Sequence, residues 1–255
     1  MRGLHGKVVI VTGGGGGIGG ATCRRFAEAG AAVAVFDRDF AAAERIAAAI
    51  AAEGGAAAAF ACDIADYEAV REAVRATITR LGPIDILVNN AGFDVFRPFL
   101  QTTPEEWSKL IAINLTGALN MHHAVLPGMV ERRAGRVVTI ASDAARVGSS
   151  GEAVYAACKA GLVGLTKTLA REHARDNITL NVVCPGPTET ALFGDFLNAA
   201  GNPEKLKESF RRAVPLGRLG LAEDLPGAIL FFASDDAAFV TGQVLSVSGG
   251  LTMAG

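Results

Sequence analysis

Between residues 12 and 19 the chain runs Thr-Gly-Gly-Gly-Gly-Gly-Ile-Gly, and this glycine-rich segment joins two very different patterns. The apolar run Val8-Val9-Ile10-Val11 precedes it, and a helix-like stretch, residues 21–29, follows it. A strand that turns through glycine into a helix presents unpaired backbone N–H groups and the positive end of the helix dipole to an anion. The pattern predicts a phosphate cradle, although a low-complexity glycine tract would look similar.

The next β-branched run narrows the class of ligand. Residues 32–36 predict a second strand, and Asp37 follows it directly, about 20 residues after the glycines. A carboxylate at this place accepts hydrogen bonds from the ribose hydroxyls of adenosine, so the glycine turn and Asp37 together predict a dinucleotide site. The carboxylate favours NAD because it would repel the 2′-phosphate of NADP, although the neighbouring Arg38 could bind that phosphate.

Short β-branched runs alternate with longer amphipathic patterns along the whole chain. This alternation is typical of an α/β fold, a parallel sheet covered by helices on both faces. We predict seven strands, at residues 8–11, 32–36, 57–62, 84–89, 136–141, 179–184 and 244–247. We predict helices at residues 17–29, 40–53, 67–81, 104–132, 153–175 and 222–233. Since no linker-like stretch interrupts the pattern, we expect a single domain over residues 1–255.

Composition excludes several classes of protein. The 255 residues carry a formal net charge of −2, with both signs scattered, so we expect no nucleic-acid partner. The N-terminal apolar run is too short for a signal peptide and no stretch approaches a membrane span, which predicts a cytoplasmic protein without membrane contact. The four cysteines lack metal-ligand spacing, so we expect reduced thiols and no metal.

One segment departs from the alternation. Residues 186–215 are rich in Pro, Gly, Asn and charge, and we predict a mobile substrate lid at about residues 187–215. Two predicted strands also end in polar residues at the edge where parallel sheets bind ligands. Asn90 could line the adenosine side and Asp63 could bind the adenine amino group, although Asn-Asn-Ala-Gly is also an ordinary turn sequence.

The candidate catalytic residues lie in the middle of the chain. Tyr155 and Lys159 are four residues apart in a predicted helix, so they share one face. An ammonium there would lower the phenolic pKa, so that Tyr155 could exchange a proton with a substrate oxygen. Ser142 ends the fifth predicted strand and could hold that oxygen, and Asn114 could hold a water that connects Lys159 to solvent. Tyr-x-x-x-Lys alone is common by chance, but its conjunction with Asp37 and the glycine turn favours a catalytic role.

The whole chain resembles the short-chain dehydrogenase/reductase family. The motifs that carry the resemblance, in the family's order and spacing, are Thr12–Gly19 (TGxxxGxG), Asn89–Gly92 (NNAG), Asn114, Ser142, Tyr155-x-x-x-Lys159 and Pro185-Gly186. The resemblance implies a Rossmann-type doubly wound sheet of seven parallel strands, a nicotinamide cofactor and a homotetramer. It implies a catalytic tetrad of Asn114, Ser142, Tyr155 and Lys159. The cofactor-binding residues that we expect are Gly13, Gly17, Ile18, Gly19, Asp37, Asp63, Ile64, Asn90, Gly92, Tyr155, Lys159, Pro185, Gly186, Thr188 and Thr190.

A narrower similarity runs through residues 15–26, 121–133 and 142–155. These stretches resemble the members of the family that oxidise cyclic 2-hydroxyacyl-CoA thioesters with NAD in anaerobic aromatic degradation. An NADPH-dependent 3-ketoacyl-thioester reductase of lipid synthesis has the same tetrad and stays open as an alternative. A non-catalytic nucleotide-binding regulator is the third possibility, against which the intact tetrad argues.

A CoA-thioester substrate would need apolar cover for its acyl group and cations for its phosphates. The candidate apolar residues are Phe93, Val95, Phe96, Val147, Leu192, Phe193 and Phe196. The candidate cations are Arg146, Arg211 and Arg212.

Overall fold

The computed structural model describes residues 1–198 and 202–253, except for the side chains of Phe196 and Asn198. Within these residues the strands are β1 (Val8–Thr12), β2 (Ala32–Asp37), β3 (Ala56–Ala61), β4 (Ile86–Asn89), β5 (Gly135–Ile140), β6 (Ile178–Pro185), β7 (Thr188–Glu189), β8 (Gly220–Leu221) and β9 (Val244–Val247). All seven predicted strands are present, with ends within two residues of the prediction.

The seven long strands form one sheet in the order β3-β2-β1-β4-β5-β6-β9, and every neighbouring pair is parallel. Strand order reverses between β1 and β4, which are hydrogen-bonded neighbours with Val11 opposite Val88. At such a reversal the connections leave toward opposite faces, so a crevice opens at the carboxyl ends of the two strands. The short strands β7 and β8 pair separately. The predicted fold class, a doubly wound Rossmann-type parallel sheet, is confirmed.

Helices cover both faces of the sheet. They are α1 (Gly17–Glu28), α2 (Phe40–Ala52), α3 (Tyr67–Leu81), α4 (Pro104–Ile111), α5 (Gly117–Arg132), α6 (Ala144–Val147), α7 (Ala153–His173), α8 (Ala191–Asn198), α9 (Pro203–Ala213) and α10 (Pro226–Ala233). No helix in the described part of the chain is long and apolar enough to cross a lipid bilayer.

The two faces of the central strands explain why their sequences are apolar throughout. All five residues of β1 are buried. Val9 and Val11 belong to a core with Phe26 of α1, whereas Ile10 belongs to a second core with Met121 of α5. Successive side chains of a strand point to opposite faces, so a sheet with helices on both sides buries every position.

Three predicted segments differ from the structure, and the simplest case is the helix predicted over residues 222–233, which is α-helical only from Pro226. The helix predicted over residues 104–132 is interrupted by a π-helical turn, Ala112–Thr116, between α4 and α5. The segment predicted to be irregular, residues 186–215, contains α8 and α9. Asn202 caps α9, since its side-chain oxygen accepts from the Lys205 N–H at 3.0 Å, and Pro203 begins the helix. The high content of Pro, Gly and charge concealed this helix start.

The central strand β4 gives a test of the core. Leu87 is 0 % exposed and Leu100, in the loop after β4, is 95 % exposed. We expect Leu87→Ala to lower the free energy of unfolding by about 2–5 kcal/mol, because the removed atoms leave a cavity among close-packed neighbours. The matched control Leu100→Ala should change it by less than about 0.5 kcal/mol. Urea unfolding at one fixed protein concentration measures both, and equal losses in the two variants would contradict this description of the core.

Candidate active site

The glycine turn lies between the end of β1 and the start of α1. Gly13 has φ of +63° and Gly17 has φ of +54°, a region that side chains disfavour. A Cβ on Gly19 would overlap the carbonyl oxygen of Gly13, so this helix glycine packs directly beneath the turn. The backbone of the turn is therefore bare toward the crevice, as a phosphate cradle requires.

Asn90 fastens the loop after β4 to the glycine turn. Its side-chain amide donates to the carbonyl oxygens of Thr12 at 2.9 Å and Gly13 at 3.3 Å. In return, the Thr12 hydroxyl oxygen accepts from the backbone N–H of Asn90 at 3.0 Å and of Ala91 at 3.1 Å. Asn90 thus does more than form a turn, because these bonds join the two strand ends at which the sheet order reverses.

Asp37 ends β2 beside the same turn. One carboxylate oxygen accepts from the Gly15 N–H at 3.0 Å and the other accepts from the Asp39 N–H at 3.0 Å. Both bonds orient the carboxylate, and each oxygen keeps a lone pair for a further donor. Asp37 and the adjacent Arg38 both line a cavity at this edge of the sheet.

A cavity of about 880 Å³ extends along the carboxyl ends of the strands. The predicted cofactor residues that line it are Gly13, Gly17, Ile18, Asp37, Asp63, Ile64, Asn90, Gly92, Tyr155, Lys159, Pro185, Gly186, Thr188 and Thr190. The predicted substrate residues that line it are Phe93, Val95, Phe96, Val147, Leu192 and Phe193. A glycine cradle, a ribose-directed carboxylate and an apolar end in one crevice fit a nicotinamide dinucleotide.

Ser142, Tyr155 and Lys159 meet at the inner end of this cavity. The hydroxyls of Ser142 and Tyr155 are hydrogen-bonded to each other. Ser142 is held in turn by the Ala144 N–H, which donates to its oxygen at 3.1 Å. Lys159 is 2 % exposed, its Nζ donates to the Ile140 carbonyl at 2.9 Å, and it lies 5.6 Å from the centroid of the Tyr155 ring.

Burial dominates the protonation of Tyr155 and Lys159. It raises the pKa of Tyr155 above its ordinary value, and the charges of Asp94 and Glu152 raise it further, while the hydrogen bond to Ser142 lowers it. The same burial lowers the pKa of Lys159 to about 8. The expected lowering of the phenolic pKa is absent because loss of water around the phenol outweighs the ammonium, whose Nζ is directed at Ile140.

Asn114 is hydrogen-bonded to the backbone of the loop that follows β4. Its carboxamide donates to the carbonyl oxygens of Phe93 at 2.6 Å and Leu110 at 3.0 Å, and it accepts from the Phe93 N–H at 3.1 Å. The π-helical turn places this side chain opposite Gly92, where a Cβ would lie 3.2 Å from the Asn114 oxygen and 3.3 Å from Lys159 Nζ. Asn114 therefore positions the loop, and its backbone bonds occupy the carboxamide.

The three arginines expected at the substrate have other contacts, and among the described residues none of them lines the cavity. Arg146 donates to the Ser246 hydroxyl at 3.0 Å, toward β9. Arg211 and Arg212 both bind Glu208, at 2.7 and 2.8 Å, because they lie three and four residues after it on α9. The predicted role of these three arginines at the substrate is therefore not supported by the lining of the cavity. The side chain of Phe196 lies outside the described residues.

Sequence reasoning missed two acidic residues of the cavity, Asp94 and Glu152. Their side chains are hydrogen-bonded to each other, and both charges act on Tyr155. The spacing of Glu152, three residues before Tyr155 and on the same helical face, was the available signal. Asp94 carried no comparable signal, because only the folded loop brings it to α7.

Comparison with known proteins agrees with this geometry. A family model described as enoyl-(acyl carrier protein) reductase matches residues 13–252. An acetoacetyl-CoA reductase of Rhizobium meliloti (strain 1021) is 40% identical over 245 residues, covering 96% of this chain and 98% of the relative. The (2S)-[(R)-hydroxy(phenyl)methyl]succinyl-CoA dehydrogenase subunit BbsD of Thauera aromatica is 39% identical over 254 residues, covering 98% of each.

Solved structures show the same likeness. The crystal structure of a 3-ketoacyl-(acyl-carrier-protein) reductase from Brucella melitensis complexed with NADH superposes with a TM-score of 0.91 at 35% identity, covering 98% of this chain and 100% of that one. The motifs, the sheet and these relatives agree over nearly the whole length, and the chain belongs to the short-chain dehydrogenase/reductase family of nicotinamide-dependent oxidoreductases.

Proposed function

We propose that this enzyme oxidises a secondary alcohol of an acyl-CoA thioester to the ketone with NAD. The observation that carries the proposal is the hydrogen-bonded pair of Ser142 and Tyr155, which lies in one cavity with the glycine turn and the buried Lys159. A proton-transferring hydroxyl and a dinucleotide cradle in one crevice are what the interconversion of alcohol and ketone needs.

The chain's own residues would hold NAD along the cavity. The bare backbone at Gly13 and Gly17 would receive the diphosphate, and the free lone pairs of Asp37 would accept from the adenosine ribose. Lys159 would donate to the nicotinamide ribose, and Thr188 lines the same end. When bound, the nicotinamide supplies the acceptor or donor for hydride.

The remaining chemistry is proton transfer at the substrate oxygen. In the oxidative direction Tyr155 acts as phenolate: it first releases its own proton toward solvent and then takes the hydroxyl proton of the substrate, while the Ser142 hydroxyl holds the substrate oxygen beside it. Lys159 would stabilise the phenolate that has to form before this step, and Asn114 keeps the loop at Gly92 in place. The function of Asn114 is therefore to position other groups.

We propose further that the acyl group is cyclic, as in the oxidation of 2-hydroxycyclohexane-1-carboxyl-CoA to 2-ketocyclohexane-1-carboxyl-CoA in anaerobic aromatic degradation. Phe93 and Phe96 from one loop and Phe193 from α8 line an apolar wall of the cavity. The relatives named above include enzymes whose substrates are CoA thioesters, one of them an aromatic acyl-CoA. Residues 187–215, of which 199–201 lie outside the described residues, would act as the lid, and the homotetramer and cytoplasmic location stay predictions.

One observation favours a second candidate, an NADPH-dependent 3-ketoacyl-thioester reductase. The raised pKa of Tyr155 keeps the phenol protonated, and a protonated phenol is the proton donor that ketone reduction needs. Arg38 lines the cavity beside Asp37 and could bind the 2′-phosphate of NADPH.

Assays of a cyclic and a linear hydroxyacyl-CoA ester test the proposed substrate and reaction. We expect 2-hydroxycyclohexane-1-carboxyl-CoA with NAD to give at least about tenfold higher kcat/KM than linear 3-hydroxybutyryl-CoA, since the apolar wall would favour the bulkier ring. Nicotinamide absorbance with NAD and with NADP measures each pair. Equal or better use of the linear ester would exclude the cyclic substrate, and no turnover of any ester would exclude the enzyme class.

Cofactor choice depends on Asp37. We expect wild type to prefer NAD, and Asp37→Ala to shrink the ratio of kcat/KM for NAD over NADP by about tenfold or more, because a repulsion toward the 2′-phosphate is removed. Arg38→Ala is the companion variant, and it should reduce residual NADP use if the guanidinium binds that phosphate. A wild type that prefers NADPH would support the second candidate.

Proton transfer depends on the Tyr155 hydroxyl. Tyr155→Phe should lower kcat by at least about 100-fold while NADH binding, followed by fluorescence titration, stays within about threefold of wild type. The ring and its packing remain in this variant, so a loss of kcat alone isolates the hydroxyl. Near-normal kcat would remove Tyr155 from the mechanism.

A further inference from the structure

Two loops that are far apart in sequence bring the carboxyls of Asp94 and Glu152 together. The Arg97 N–H donates to the Gly151 carbonyl at 3.0 Å, which joins the loop after β4 to the loop before α7. Gly151 has φ of +88°, and a Cβ there would overlap the Phe96 ring, so the ring lies flush against the backbone. These contacts hold both acids at the cavity wall, beside Tyr155.

The pair carries one negative charge in total. Two hydrogen-bonded carboxyls cannot both ionise readily, so they share a proton. Burial, the hydrogen bond to Glu152 and the charge of Glu152 all raise the pKa of Asp94, so the proton stays within the pair. One oxygen of Asp94 accepts from the Val95 N–H at 2.7 Å. The pair therefore offers the cavity acceptor oxygens and a negative charge, and its single proton is already engaged.

The charge of Lys159 acts on Asp94, but the cations around the pair also have other partners. Lys159, below Tyr155, donates to the Ile140 carbonyl at 2.9 Å. Arg97 forms an ion pair with Glu106 at 3.0 Å, and Lys109 lies 4.4 Å above the Phe93 ring. Asp94 and Glu152 line the cavity together with Phe93 and Phe96, so the charge of the pair lies beside the residues proposed for the substrate.

We propose that the Asp94–Glu152 pair determines specificity: it excludes substrates with a carboxylate near the reacting carbon, so that the acid must be masked as a thioester or another neutral ester. Like charges a few ångströms apart in a partly buried site repel strongly, whereas a neutral carbonyl escapes this repulsion. The part of this inference that names a thioester as the natural substrate rests on the proposed function. The discrimination between neutral ester and free acid applies to whichever hydroxy acid the enzyme accepts.

The experiment compares a methyl ester with its free acid. Since neither compound carries CoA, the comparison isolates the effect of the carboxylate charge from that of CoA binding. Methyl 2-hydroxycyclohexane-1-carboxylate and the free acid are assayed with NAD, and the ratio of their kcat/KM values is the readout. Wild type should favour the ester by on the order of 100-fold, mostly through KM of the acid. Using the ratio within each variant cancels any effect of the substitutions on Tyr155.

The variants separate charge from shape. Asp94→Asn leaves a single carboxyl, and therefore one negative charge, at the site, so its ratio should stay within about threefold of wild type. The double variant Asp94→Asn/Glu152→Gln removes the charge, and its ratio should fall by at least about tenfold. Glu72→Gln, at an exposed position on α3, is the control for a lost charge far from the site and should leave the ratio unchanged.

A double variant with the wild-type ratio would overturn the proposal, as would a wild type that uses acid and ester equally. If the double variant does not fold, inhibition of wild type supplies the test: 2-ketocyclohexane-1-carboxylate should bind at least about tenfold more weakly than its methyl ester, and equal inhibition would overturn the proposal. If the enzyme does not accept the cyclic substrate, methyl 3-hydroxybutyrate and 3-hydroxybutyrate replace the cyclic pair. Failure of the proposed substrate is thereby distinguished from failure of the proposed discrimination between ester and acid.

Discussion

The hydrogen bonds between Asn90 and Thr12 hold together the point at which the sheet reverses its strand order. β1 and β4 are paired in the sheet as far as Val11 and Val88, and these bonds extend the connection beyond the strand ends. With them, the glycine turn and the loop after β4 form one surface, from which the rest of the cavity continues. Asp37 joins the same unit through the Gly15 N–H, so three neighbouring strands contribute to one rigid cradle.

The loop after β4 connects the cofactor end of the cavity with the substrate end. Gly92 lies against Lys159 Nζ and Asn114, Phe93 is fixed by both backbone bonds to Asn114, and Asp94 reaches Glu152. A change at any of these positions is expected to reach the others, because the loop has little freedom between its anchors. Burial adds a second constraint, since it holds Tyr155 in its protonated form and lowers the pKa of Lys159.

Elements with a strong local signal were predicted from sequence. The strands are apolar over their whole length because both faces are buried, and the turn at Gly13 needs a residue that tolerates positive φ. The break in the predicted helix 104–132 was missed, because a π-helical turn leaves no gap in an apolar pattern. The arginines of α9 were misplaced because the prediction did not use the spacing of Glu208, three and four residues before them, which indicates ion pairs once the segment is a helix.

The sequence by itself determined the α/β alternation, the cradle at the glycine turn and the Tyr155-x-x-x-Lys159 face, since each follows from local backbone geometry or helical periodicity. Only the tertiary structure decided the contacts between distant segments. It set the bond from Asn90 to Thr12, the burial that governs Tyr155, and the meeting of Asp94 with Glu152. These depend on which loops the parallel sheet brings to the same edge, and that information lies in the packing of strands far apart in the chain.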